Sequence, residues 1–416
     1  MRRFPFFILI TILLLAGCGQ RSNSWEEIGD LANAVIPPRG SFDLTVGPDG
    51  TPYIAYVSER SGNAEIYVVR YVEDEWVTVG GGNVSNSGGT SVLPSLAISE
   101  DGIPFVAWAD NSSGSPQIFV RFYDGFAWAE IGTDSATSEG ISASGGDSLW
   151  PALALDSAGT PYVAWTDTGA SGFSSIFIRH WDGSQWAELG AGSATGNGLS
   201  SGATEAKHPS LVIGPEGQPW LVWDDGAGLG TSVYGQRWDG SGWQEIGAGS
   251  NSGEGLSAAA MSGSDNVNPV LLAGPNGTVY LAWNNQGIIG TATSQSIYAL
   301  QFDGNGWREV SSGSAAEYGL SGNTSDWAPA MALDNDGRLY AAWATLDDNA
   351  GYVNIQRRDG DSWRTLGETP RFGVPDKVPA IGEPSLPQLA IAGDGTVYLA
   401  WLVAGTDSIK IQRYLP

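Results

Sequence analysis

A short phrase recurs along this chain: WEEIG at Trp25, WAEIG at Trp128, WAELG at Trp186, WQEIG at Trp243 and the shorter WREV at Trp307. Every copy but the first closes a longer unit of roughly 52 to 60 residues, a period that points to blade-like β repeats rather than helical solenoids. The clearest unit reads LPSLAISEDGIPFVAW from Leu93 and then QIFVRFYDGFAWAEIG from Gln117. Related openings stand at Ser41, Trp150, His208, Asn268, Ala328 and Leu386, which makes seven units. A chain of 416 residues would ordinarily suggest two or three domains, but a repeat of this kind binds it into one body.

Each unit holds four short runs rich in Val, Ile, Tyr, Phe and Trp, separated by turns containing Gly or Asp, which is the signature of strands joined by hairpins. Between the first and second runs lie Asp49-Gly50, Asp101-Gly102 and their equivalents, where glycine supplies a positive φ. The turn between the third and fourth runs sets Trp181 opposite Trp186, Tyr123 opposite Trp128 and Trp238 opposite Trp243, with Arg121 facing Glu130 and Arg179 facing Glu188. No helical period interrupts the pattern after Ala16. The expected fold class is therefore all-β: a seven-bladed β-propeller of four-stranded antiparallel blades.

The count of strands explains the first phrase. Fourth-strand tryptophans stand at positions 25, 76, 128, 186, 243, 307 and 363, yet the last unit ends at IKIQRYLP with only three strands. An open ring would leave two unpaired strand edges, so the N-terminal strand is expected to close the last blade, with Trp25 beside Tyr414. Strand direction then puts Trp25 on the face of the tight turns, opposite the face that carries the long loops.

Ahead of this strand lie Arg2-Arg3, an apolar run from Phe4 to Ala16, and Leu15-Ala16-Gly17-Cys18, the layout of an export signal too short to span a bilayer. The last four residues resemble the lipobox of bacterial lipoproteins, which implies lipidation of Cys18 and attachment to the outer membrane or cell surface through that lipid. The expected organisation is a signal peptide at 1–18, a tether at 19–24 spanning at most roughly 20 Å, and one propeller domain at 25–416. Cys18 is the only cysteine, so the domain is held by packing without disulfides. A net charge of −26, with 45 acids against 19 bases, excludes nucleic acid as a partner and gives anionic headgroups nothing to attract. A monomeric ring is expected.

From Trp25 to Pro416 the chain resembles seven-bladed propellers of the kelch and Asp-box (BNR) kind. Where kelch blades carry a glycine pair this chain has Ala107-Trp108 and Ala164-Trp165, and DGSQW from Asp182 only approximates an Asp-box. The resemblance implies an architecture that serves lectins, hydrolases and scaffolds alike, so function has to be argued from a site.

Of 18 tryptophans all but Trp150 and Trp327 fall on repeated scaffold positions. These two stand where a long loop enters the innermost strand, at the mouth of the central channel, and Asp147, Lys207, His208, Asn268 and Asp326 occupy comparable places. Polar groups beside aromatics on a concave mouth mark a candidate ligand site; simple loop packing by the two indoles is the competing reading. Asp110, Asp167, Asp225 and Asn285 form a partial ring at the start of the outward loops, suited to Asx turns better than to Ca²⁺, which takes six to eight oxygens. The loop phrases TDSATSEGIS, AGSATGNGLS, AGSNSGEGLS and SGSAAEYGLS hold Ile141, Leu199, Leu256 and Leu320 before a final Ser, and are expected to dock on the rim in a fixed shape. With two histidines, His180 and His208, no catalytic triad or zinc cluster can be assembled; no cofactor and no metal are expected. The expected role is a binding module, for a glycan or a protein. A glycan-acting enzyme of the sialidase or hydrolase type, using a pair such as Asp147 and Asp326, and a scaffold subunit of an envelope complex are the alternatives.

Overall fold

The computed structural model describes residues 24–32, 42–169, 172–200, 204–226, 230–258, 264–289, 292–316, 318–322, 325–346, 351–367, 371–372, 387–402 and 408–415. Cys18, the signal-like stretch and residues 19–23 of the tether lie outside them. Seven antiparallel sheets are arranged in a ring, each with four strands in meander order and the sixth with a short additional strand, Arg371–Phe372. Numbered from the first complete unit, the innermost strands are Phe42–Val46, Ser91–Ile98, Asp147–Leu155, Ala206–Ile213, Asp265–Ala273, Asp326–Leu333 and Gln388–Ile391. Each touches the next, and the last touches the first. The protein is a seven-bladed β-propeller.

Closure runs through the N-terminal strand. Trp25–Ala32 pairs with Ser408–Tyr414, Trp25 opposite Tyr414, and the pairing extends past the phrase through a bulge between Glu27 and Gly29. The ring centroids of Trp25 and Tyr414 lie 5.4 Å apart, as the outer aromatic pairs of blades 1 to 5 do at 5.3 to 6.2 Å.

There is no single core. Seven buried apolar clusters each fill one interface between neighbouring blades, and the seam is no exception: Ile28 and Leu31 from the N-terminal strand share a cluster with Phe42, Tyr56 and Ile411. The second strand of a blade is covered on both faces, so runs such as Pro104–Asp110 are buried throughout, and their sequences read as nearly continuous apolar text.

The recurring phrase is a latch between blades. Each indole of the fourth strand donates Nε1–H to the preceding blade: Trp76 to Ile28 O at 3.0 Å, Trp128 to Val79 O at 3.1 Å, Trp186 to Ile131 O at 3.0 Å, Trp243 to Leu189 O at 2.8 Å, Trp307 to Ile246 O at 2.6 Å and Trp25 to Leu366 O at 2.9 Å. Trp363 completes the set with Ser311 Oγ at 3.0 Å. In the first six the acceptor lies three residues after its own blade's tryptophan, and the glycine that follows makes room for the neighbour; Ser311 stands four after Trp307. A Cβ on Gly132 would stand 2.4 Å from the Trp181 ring, and one on Gly190 2.7 Å from Trp238.

The glutamate of the phrase serves its own loop: Glu188 accepts N–H bonds from Gly192 and Ala194, and Glu309 from Gly313 and Ala315. Arg121 and Arg179 do face Glu130 and Glu188 in register, but their guanidinium groups donate to Val84 O and Ile141 O of the preceding loops at 2.7 Å, where a buried carbonyl needs a donor. The loop phrases dock as expected. Ile141 N–H donates to Ile118 O, Ser142 Oγ accepts from Ile118 N–H, and Gly140 at φ +61° passes so close that a Cβ would lie 2.2 Å from that carbonyl.

Candidate functional site at the channel mouth

The innermost strands of blades 2 to 6 each carry a residue followed by proline: Leu93, Trp150, His208, Asn268 and Ala328. Proline has no N–H to give to a ladder, and at each of these places the pairing with the second strand slips by a bulge. The residue before the proline sits at φ between 50 and 57°. For Leu and Trp this left-handed backbone is rarely populated and costs on the order of 1 kcal/mol or more. All five line one cavity of about 290 Å³ on the ring axis, which also takes residues from blades 1 and 7.

Below the bulges runs a second circle that includes Asp43, Ser95, Ser210 and Gln388. It joins neighbouring blades: Asp43 Oδ2 accepts from Leu96 N–H at 2.8 Å, Ser95 Oγ from Leu153 N–H at 3.1 Å and Ser210 Oγ from Leu271 N–H at 2.9 Å. Enclosure by protein pushes the Asp43 carboxyl up to about 6, against the pull of its backbone hydrogen bonds.

Three of the bulge residues are tied together. His208 Nδ1 lies 2.7 Å from Asp224 Oδ2, and the same oxygen accepts from Asn268 N–H at 2.9 Å. A carboxylate only accepts, so Nδ1 carries the proton and Nε2 is the ring atom left for a ligand. Asp224 is 2% exposed, on the second strand of blade 4. The Trp150 and His208 rings meet in a T-shaped contact, with centroids 4.9 Å apart and planes at 67°. In blade 5 Asn284 plays the part of Asp224, accepting from Ala328 N–H at 2.7 Å.

Of the residues picked from sequence, Trp150, His208 and Asn268 line the cavity, while Asp147, Lys207, Asp326 and Trp327 are not among its lining. Trp327 precedes its blade's bulge residue by one place, and strand alternation turns it into the cluster between blades 6 and 7 at 8% exposure. Asp326 is wholly buried, accepts from the Thr345 hydroxyl, and is pushed by burial to about 6. Lys207 pairs with Glu205, and Asp147 lies exposed at the start of its strand. Asp224 and Asp43 escaped the sequence reading. A charged residue one place after Trp223, inside a fully covered strand, was the signal for the first.

The outward ring of Asp110, Asp167, Asp225 and Asn285 is buried, and Asp110, Asp167 and Asn285 are held by local hydrogen bonds. Asp110 accepts from Ser112 N–H in an Asx turn and from the hydroxyls of Ser87 and Ser91; Asp167 accepts from Ser148 Oγ at 2.6 Å. Among the described residues no three His, Cys, Asp or Glu side chains gather as a metal would require.

No protein-family model and no curated protein sequence matches the chain. Solved structures do match in fold. The polysaccharide lyase Uly1 aligns over 91% of this chain and 90% of its own, with TM-score 0.51 and 11% identity. An ulvan lyase of the PL25 kind, bound to -[GlcA(1-4)Rha3S]-, covers 93% and 94% with TM-score 0.55 and 13% identity, and a further structure of that kind reaches 0.56 over the same shares. At these identities the likeness establishes a shared propeller architecture.

Proposed function

We propose that this protein binds glycans at the long-loop mouth of its channel. The observation that carries the reading is the set of left-handed bulge residues that hold Trp150, His208 and Asn268 around one cavity, because backbone strain concentrated at a concave site marks a place where side-chain direction matters more than stability. An indole beside a fixed hydrogen-bonding ring suits a pyranose, whose faces are apolar and whose edge is hydroxylated. That matching propellers include polysaccharide lyases, one with an oligosaccharide bound, supports the ligand class. Titration with a panel of oligosaccharides tests it: Trp150→Ala should weaken the retained sugar about tenfold, and a panel in which nothing binds would sink the reading.

The His208–Asp224 pair favours a second reading, a glycan-acting enzyme, since a histidine oriented by a buried carboxylate is the arrangement of a general base. Product release from a retained sugar, abolished in His208→Ala, would promote it over binding alone.

The module is proposed to be held at the outer membrane or cell surface by a lipid on Cys18. Trp25 starts at the tight-turn end, beside Val397 and Tyr414, so an anchor there would turn the channel mouth away from the bilayer. Cys18→Ser should move the protein from the membrane to the soluble fraction; unchanged fractionation would refute the anchor.

A further inference from the structure

We infer that the glycan taken by this mouth carries neither carboxylate nor sulfate, a specificity that rests on the binding site proposed above. Among the described residues lining the cavity the charged side chain is Asp43, and none is Lys or Arg. Lys207, the residue before His208, pairs with Glu205 outside the lining. His208 gives its Nδ1 proton to Asp224, so any positive charge on that ring would face a carboxylate 2.7 Å behind it. Anionic sugars are ordinarily held by guanidinium forks or ammonium groups. Here a uronate or sulfate would meet the Asp43 carboxylate across a narrow, weakly screened channel, inside a chain of net charge −26.

What the wall offers instead is neutral. The hydroxyl oxygens of Ser95 and Ser210 accept backbone N–H bonds from the neighbouring blades, and a hydroxyl that accepts in this way keeps its own proton to donate. Two such donors, the amide of Gln388 and the Asn268 side chain match the acceptor and donor edges of sugar hydroxyls. The indole of Trp150 supplies the apolar face. This separates the site chemically from one built for the -[GlcA(1-4)Rha3S]- unit seen in the matching ulvan lyase.

The test is a set of matched pairs offered to the full chain in detergent at pH 7.5: mannan and polymannuronate, galactan and polygalacturonate, and a sulfated oligosaccharide with its desulfated form. Affinities are read by calorimetry. Whichever backbone is retained, its uncharged member should bind at least tenfold more tightly, and Asp43→Asn should narrow that ratio. Equal or tighter binding of the acidic member would overturn this inference and leave the glycan site standing. Retention of neither member of any pair would overturn both.

Discussion

The rim of the ring and the wall of its channel are built from the same seven units, and they treat the repeat in opposite ways. At the rim the side chain is kept: a tryptophan stands in every blade, donating to the blade before it, and a glycine follows wherever the neighbouring ring comes closest. Along the channel the backbone is kept and the side chain is not, for Leu93, Trp150, His208, Asn268 and Ala328 share one left-handed bulge and almost no chemistry. The rim does the same work seven times over, joining one blade to the next. The wall points inward at one axis, where seven identical residues would crowd each other and recognise nothing in particular.

The rim can be broken most severely at its seam. Removing Trp25 to Gly29 takes away the strand paired with Ser408–Tyr414, the indole held by Leu366, the carbonyl that holds Trp76, and Ile28 from the cluster shared with blade 1. Several kcal/mol of packing and a closed edge are lost together. Melting should fall by more than about 10 °C or lose its single transition. A variant that melts like the parent would mean the ring does not depend on this latch.

These two regions also explain what the sequence could tell. Rim positions are aromatic, periodic and countable, so blade number, register and the displaced first strand were legible before any coordinates. At the channel mouth a single place decides everything. Trp150 and Trp327 look alike in a string, but the proline follows the first directly and the second after Ala328, so one indole enters the channel and the other is buried in a blade interface. Asp224 was hidden for another reason: its partners are His208, 16 residues back on the neighbouring strand, and Asn268, 44 residues on in the next blade.

Asp326 lies between the two regimes, buried two places before the bulge where blade 5 has Asn266. Its carboxyl is raised from 3.8 to about 6 by burial, so the folded state holds a proton that the unfolded chain releases. The sign follows: no penalty exists below about pH 4, it grows as pH rises toward 6, and it is complete above that. Asp326→Asn, which gives blade 6 the residue of blade 5, should therefore gain about 3 kcal/mol over the parent at pH 7 and nothing at pH 3.5. Equal gains at both values, measured by denaturant melts, would show that the carboxyl is not strained by burial.

The smallest effect sharpens the contrast most directly. Ala328 has the bulge geometry at φ 55° but the shortest side chain of the five, and its N–H bond to Asn284 is made by the backbone. Ala328→Gly leaves that bond in place and removes the clash that a Cβ suffers in the left-handed region, together with the methyl's contact with the cluster between blades 6 and 7. The folded state gains from the lost clash, while the unfolded chain gains freedom, and the two terms oppose each other. A net stabilisation of about 0.5 to 1 kcal/mol is expected, with the Trp150 and His208 contacts to a sugar kept and only the Ala328 methyl withdrawn from the cavity lining. A loss of stability instead would mean that the bulge is the backbone's preferred state here, and that the wall holds its residues without strain.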